Sequence, residues 1–362
     1  MPISFPSTQL TSGTISGLGN YTVYMSGTGT VEANGTSTQS FTPTLAYWDT
    51  SLTTGLQAGS GNWSSSAQNW SVSSAGAATL LGWYSGGSNL DVFFNPSGTS
   101  TITVSENVAA SSLTFNGTGY IINSSGGATL TLSSGTITAN AAATINAPLA
   151  GTNGLTKNGS GKLTLGGANT YSGVTTVLAG TLELGLSAQN CVLNLGGADI
   201  QAGAMVFDYA GGADPIATIQ SLLKASYDGG RWDMGQFRDS TAAATGLTLG
   251  CLDNTATDQV KVMATYPGDF NLDGVVDNLD RAILYANAFT GSTWQQGDAN
   301  YDGVVNGLDR DLWLANVGLP QLSAALPAAG VTPVPEPGAL VLLATTLLSL
   351  LAFACRWRKQ RA

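Results

Sequence analysis

The sequence predicts a mainly β chain of short strands and many turns, closed by a pair of loop-and-helix units and a C-terminal apolar helix. Three observations predict it. Charged residues make up only 9% of the 362 residues, and Gly (47 of them), Ser, Thr, Asn and Ala take their place. Ordinary helices carry Glu, Lys, Arg and Gln on their wet faces, so a helical protein is a poor fit. Hydrophobic residues still reach 43%, many of them β-branched, which is too apolar for a disordered chain. Finally, one 22-residue stretch near the C-terminus occurs twice. His is absent altogether, which removes Ser-His-Asp and Cys-His catalysis and His-ligated zinc or haem.

Residues 1–99 form a Gly/Ser-rich β region in which Trp48, Trp63, Trp70 and Trp83 are concentrated. Exposed aromatic rings stack on sugars, which makes these four candidates for glycan stacking. The competing and favoured reading is that they cap the apolar end of a stack of strands. Residues 100–205 carry the clearest alternation. Runs such as TITV (101–104), SLTF (112–115), ATLTL (128–132) and TLEL (181–184) are separated by Gly, Asn and Ser. Short alternating strands with small turn residues fit a sandwich, a barrel or a β-solenoid, and the turns are too frequent for a doubly wound sheet.

Residues 154–185 read GLTKNGSGKLTLGGANTYSGVTTVLAGTLELG. Leu155, Leu163, Leu165, Val177, Leu182 and Leu184 would face a narrow core. Gly159, Gly161, Gly166, Gly173 and Gly180 would occupy turns that need positive φ. Asn169 and Tyr171 are candidate stack or corner residues. This stretch resembles the autotransporter-associated β-strand repeat, also called the passenger-associated transport repeat. The resemblance implies a right-handed parallel β-helix of which these residues form about one rung, with the upstream strands as degenerate copies. No outer-membrane barrel pattern follows, so export through a self-built pore is not implied.

Residues 206–265 read as a small α+β linker module. Asp214 and Pro215 suit a helix N-cap and first turn. Ile216, Ile219, Leu222 and Leu223 share one face, and Gly229-Gly230 ends the element. Asp228, Asp233 and Asp239 follow beside Arg231 and Arg238. Paired carboxylates can hydrolyse glycosides, but here surface ion pairs and turns are the expected reading.

The duplication lies in residues 266–320. GDFNLDGVVDNLDRAILYANAF (268–289) and GDANYDGVVNGLDRDLWLANVG (297–318) share 12 of 22 positions, enough to fix a common ligand pattern. Each copy fits a 12-residue calcium loop, because calcium takes six to eight oxygen ligands. Positions 1, 3 and 5 are Asp269, Asn271 and Asp273 in the first loop and Asp298, Asn300 and Asp302 in the second. Gly274 and Gly303 make the sharp turn. Val275 and Val304 offer backbone carbonyls at position 7. Asp277 or Asn306 stands at position 9, directly or through water, and Asp280 or Asp309 closes the shell at position 12. Val276 and Val305 would pack the loops together, and short helices are expected at 281–288 and 310–317. Four carboxylates against three predict tighter binding in the first loop.

Asp at position 12, with a helix after each loop and none clearly before it, resembles a type I dockerin. That resemblance implies calcium-dependent folding and a cohesin partner. Dockerins often present Ser-Thr at loop positions 10 and 11, where this chain has Asn278-Leu279 and Gly307-Leu308. A cohesin-like partner is therefore doubtful. The order of parts over 206–318 is similar to a module of planctomycete exported proteins.

A Pro-rich linker spans 321–337. Residues 338–355, GALVLLATTLLSLLAFAC, carry no charge, near the minimum length for crossing a membrane. Arg356, Arg358, Lys359 and Arg361 follow at once and predict a cytoplasmic tail over 356–362. Pro335, Glu336 and Pro337 stand just before the span. This order resembles the PEP-CTERM sorting signal of Gram-negative and planctomycete-like bacteria, which implies anchoring and processing by an exosortase-type enzyme. Residues 1–30 show no basic and apolar leader, so the true start is expected upstream of Met1.

The chain carries a net charge of −10, and four of its 12 bases lie in the tail, so no nucleic-acid partner is expected. The three Cys share no metal or redox spacing, and Cys191 and Cys251 read as small buried thiols. Residues 1–200 hold six acids and two bases, Lys157 and Lys162, too few for the charged groove of a polysaccharide lyase or hydrolase. The expectation is therefore an exported, non-enzymatic, structural or adhesive protein of the cell envelope. It would bind calcium, contact extracellular polysaccharide, and be membrane-anchored or released by cleavage. A β-helix polysaccharide-degrading enzyme and a cohesin-docking scaffold are the competitors.

Overall fold

The alternating strands wind into a parallel β-solenoid of about five turns. The computed structural model describes residues 44–76, 80–83 and 89–322, together with the backbone of Ile3–Ser4 and Thr30–Val31, a short antiparallel pair. Along one face Asp91 pairs with Ser112, Ser112 with Thr136, Thr136 with Thr156, Leu155 with Thr175, and Thr175 with Ala198, so each turn advances 20 to 24 residues. A second face stacks Gly61–Trp63, Ser100–Val104, Tyr120–Ser124, Ala143–Ile145, Lys162–Leu165 and the end of Thr175–Leu184 in the same parallel sense. A third contact joins Val108, Leu130 and Leu149.

Period-two alternation puts every second side chain inside. Leu155, Leu163, Leu165, Val177, Leu182 and Leu184 are all buried, as expected. Polar ladders hold the corners: Asn140 Nδ2 donates to Asn116 Oδ1 at 2.7 Å, and Asn116 Nδ2 to Asn95 Oδ1 at 2.8 Å. Tyr171 is buried at a corner, its hydroxyl 2.9 Å from that of Thr175. Asn169 is buried beside it and accepts the Leu149 amide at 2.8 Å.

The glycines divide into two classes. Gly159 (φ +79°) and Gly180 (φ +65°) have the left-handed backbone expected of them. Gly161, Gly166 and Gly173 do not. They are glycine because the neighbouring turn leaves no room: a Cβ on Gly173 would lie 2.3 Å from the Gly154 amide nitrogen.

The four tryptophans fill the interior of the first described turn. Trp48, Trp63, Trp70 and Trp83 are between 0 and 5% exposed. The Trp63 ring lies 4.9 Å from Trp70 and 5.0 Å from Trp83, edge-on, and Phe94 continues the cluster. Buried rings present no face to a sugar, so the glycan-stacking expectation for these residues gives way to packing.

After the solenoid, Ile216–Ser226 forms the expected helix, one residue later than the sequence suggested. Asp214 Oδ1 accepts the Ile216 amide at 2.8 Å, and Ile219 and Leu223 face inward. Asp228 and Arg231 form an exposed ion pair at 3.6 Å. Asp239 is buried in a turn, accepting the Thr241 amide and hydroxyl. Strands Thr248–Asn254 and Gln259–Thr265 make a hairpin, and two helices, Asn278–Ala286 and Gly307–Asn316, follow. Cys191 and Cys251 are buried free thiols. Among the described residues no helix is long and apolar enough to cross a membrane. The predicted span at 338–355, the basic tail and the sorting residues Pro335, Glu336 and Pro337 lie outside the described residues.

Candidate metal centre

The two loops fold alike because equivalent residues make equivalent bonds. Asp280 Oδ1 accepts the Phe270 amide at 2.8 Å, and Asp309 Oδ1 the Ala299 amide at 2.8 Å. Asn271 Oδ1 accepts the Asp273 amide and Asn300 Oδ1 the Asp302 amide, both at 3.0 Å. Asp269 Oδ2 accepts the Gly274 amide at 3.0 Å, and Asp298 Oδ2 the Gly303 amide at 2.9 Å. Asp273 and Asp302 likewise take the amides of Val275 and Val304 through Oδ1. Gly274 (φ +85°) and Gly303 (φ +93°) make the sharp turns.

Position 9 does more than the sequence reading gave it. Asp277 and Asn306 are the N-caps of the two helices, each in a capping box with the acid at position 12. Capping satisfies amides that the first turn leaves unbonded. The helices therefore begin at Asn278 and Gly307, three residues earlier than the expected 281 and 310. Val276 and Val305 are buried, and their backbone bonds cross. The Gly318 amide, after the second helix, donates to the Val276 carbonyl at 3.2 Å. The Phe289 amide, after the first helix, donates to the Val305 carbonyl at 2.8 Å. Each loop is thus tied to the end of the other loop's helix.

The electrostatics favour a cation. Asp269, Asp280, Asp298 and Asp309 are 0 to 2% exposed. Burial pushes the Asp269 carboxyl up to about 6; bonds from Thr265 and Gly274 oppose the shift, while Asp280 and Asp273 add like-charge repulsion. Burial also raises Asp280, Asp298 and Asp309, and Asp302 adds repulsion to the latter two. Asp298 Oδ1 is buried without a hydrogen-bond partner. A buried, unpaired carboxylate oxygen is costly unless it is paired or ligates a metal. The donors are carboxylate, amide and carbonyl oxygens, which suits a hard cation such as calcium. Among the described residues no group of three or more His, Cys, Asp or Glu side chains is placed so that it could hold a metal ion. The carboxylates are instead spread over the loop amides.

Several contributors were not read from the sequence. The Thr265 hydroxyl donates to Asp269 Oδ2. Lys224 Nζ donates to the Asp302 carbonyl at 2.9 Å and draws the Asp298 carboxyl down, against its burial. Leu272 and Tyr301, at position 4 of each loop, both have φ +55°. Positive φ is uncommon outside glycine, and the Asn-x-Asp-Gly setting of both was the one signal available. Beside the first loop lies a groove of about 610 Å³ lined by Ser160, Thr181, Lys261, Asp273 and Gln321, by Gly and Ala residues, and by Met263, Leu272 and Leu322.

Two segments of the chain match models of known families. The passenger-associated-transport-repeat model matches residues 155–184, and the dockerin type I domain model matches residues 267–314. A 146-residue stretch, 39% of this chain, is 40% identical to the adhesin BmaC autotransporter of Brucella suis biovar 1 (strain 1330). That stretch spans only 4% of the adhesin's own length. No solved structure matches. The chain is therefore similar to passenger-repeat proteins over part of its solenoid and to type I dockerins over its loop pair.

Proposed function

We propose that this chain is an exported structural or adhesive protein of the cell surface, with calcium bound in both loops, and not an enzyme. The observation that carries the reading is the succession of a parallel solenoid and a pair of oxygen-lined loops. Its similarity to an adhesin over 146 residues supports it. The ligands are Asp269, Asn271, Asp273, Asp277 and Asp280, with the Val275 carbonyl, and Asp298, Asn300, Asp302, Asn306 and Asp309, with the Val304 carbonyl. Bound calcium would offset the repulsion among these carboxylates. The apolar run at 338–355 anchors the chain in the membrane, and an exosortase-type enzyme acts near Pro335, Glu336 and Pro337. The groove beside the first loop, which mixes polar residues such as Lys261 and Asp273 with apolar ones, is the surface offered to extracellular polysaccharide.

The test is protease treatment of intact cells expressing the full chain, with adhesion to polysaccharide-coated surfaces measured before and after. Stripping of the chain together with loss of adhesion supports the reading. A chain protected inside intact cells, or release of new sugar ends from the polymer, contradicts it. A second reading, docking of a cohesin-like partner, draws on Leu279 and Leu308. These two are 61% and 60% exposed at equivalent positions of the two helices. Calcium-dependent capture by an immobilised cohesin would favour it.

A further inference from the structure

The last turn of the solenoid is not left with an open edge. Strand Ala198–Asp208 pairs in parallel with Thr175–Leu184 on one side and antiparallel with Gln259–Thr265 on the other. Thr248–Asn254 completes the hairpin. A solenoid needs a cap at its end, yet a two-stranded hairpin is marginal alone. What covers this hairpin is the loop pair. At Gly250 a Cβ would lie 2.5 Å from Leu272 Cδ2 and 2.8 Å from Trp294 Cε2. The Tyr301 hydroxyl donates to the Leu249 carbonyl at 2.7 Å. The Tyr301 ring lies 5.5 Å from Tyr227, 5.6 Å from Trp232 and 5.8 Å from Trp294. Gln295 adds a bond from the Asp253 amide at 2.9 Å.

Leu272 and Tyr301 are equivalent residues of the two loops, and each is held at φ +55°. Such backbone persists only where the surroundings over-determine it. In each loop the next residue is the position-5 ligand and the one after it the turn glycine. We propose that the loop pair is a calcium-locked cap of the solenoid: calcium closes the loops, and closed loops hold Leu272 and Tyr301 as plugs against the 248–265 hairpin. This rests on the calcium reading above. Ligand energy then reaches the solenoid by linkage, since calcium binds the folded loops and not the unfolded ones.

The test is amide hydrogen exchange of the full chain with calcium and with chelator, alongside calorimetric calcium binding. Calcium is expected to slow exchange of amides within 175–208 by about tenfold or more. In Leu272→Ala/Tyr301→Ala, calorimetry should still show calcium binding while that protection is lost. Tyr301→Phe, which removes only the bond to Leu249, should lose part of it and guards against the double variant failing to fold. If calcium binds and exchange within 175–208 does not change, the cap is overturned although the calcium reading stands. If no calcium binds, the calcium reading itself falls, and the cap with it.

Discussion

The indole N–H of Trp313 donates to the carbonyl of Asp277 at 3.0 Å, joining the second helix to the N-cap of the first. Trp313 is buried, and its backbone sits where a Cβ on Gly268 would lie 2.8 Å from its Cα. This bond and the crossed bonds of Phe289 and Gly318 make the two loops one unit. Trp313→Phe keeps most of the ring and loses the bond. It should lower stability by about 1 kcal/mol in chemical denaturation. A variant as stable as the parent would show that the bond contributes nothing.

The asparagine ladder should matter as a ladder. Asn116 both donates to Asn95 and accepts from Asn140. Asn116→Ala breaks both bonds and should destabilise by roughly 1 to 3 kcal/mol. Asn95→Ala, in a double-mutant cycle with it, should show non-additivity. Simple addition of the two effects would mean the side chains do not couple.

Trp63 tests the packing role of the tryptophan cluster. Trp63→Ala empties a fully buried site and should lose about 3 to 5 kcal/mol. Trp63→Phe should lose less. Binding to polysaccharide, per folded molecule, should be unchanged in Trp63→Phe; a drop would restore the glycan role that burial removes.

Lys157 gives the solenoid a pH signature. Its buried Nζ donates to the carbonyls of Gly159 at 2.7 Å and of Asn158 and Ala179 at 3.0 Å. Burial pulls its pKa down from 10.5 to about 8. Between these values the unfolded chain holds the extra proton, so stability rises with pH across this window. Measured against Lys157→Met, the parent's advantage in denaturation midpoint should grow from pH 7.5 to pH 9.5. Parallel profiles would contradict the shift. At neutral pH the variant should be less stable by roughly 1 to 3 kcal/mol, because three carbonyls lose their donor.

Much of this was legible in the residues. Alternation alone marks Leu155, Leu163, Leu165, Val177, Leu182 and Leu184 as interior, and each loop's ligand spacing survives as a shared bond pattern. Two of the departures share a cause, that the partner is remote in sequence, and a third is local. Gly161, Gly166 and Gly173 are glycine because another turn crowds them, which no local pattern shows. The helices start early because Asp277 and Asn306 cap them as well as standing in the ligand series. Leu272 and Tyr301 are not singled out by the sequence, since their contacts, Gly250 and Trp232, belong to other elements. For the tryptophans the favoured reading, apolar packing rather than sugar stacking, agrees with their burial.

The central claim is that these loops are calcium sites. Calorimetric titration of the chelator-treated full chain tests it most directly. Two sites per chain are predicted, the first loop tighter. Asp280→Ala should abolish the tighter site and Asp309→Ala the weaker one. Absence of calcium binding, or binding untouched by both substitutions, would contradict the account.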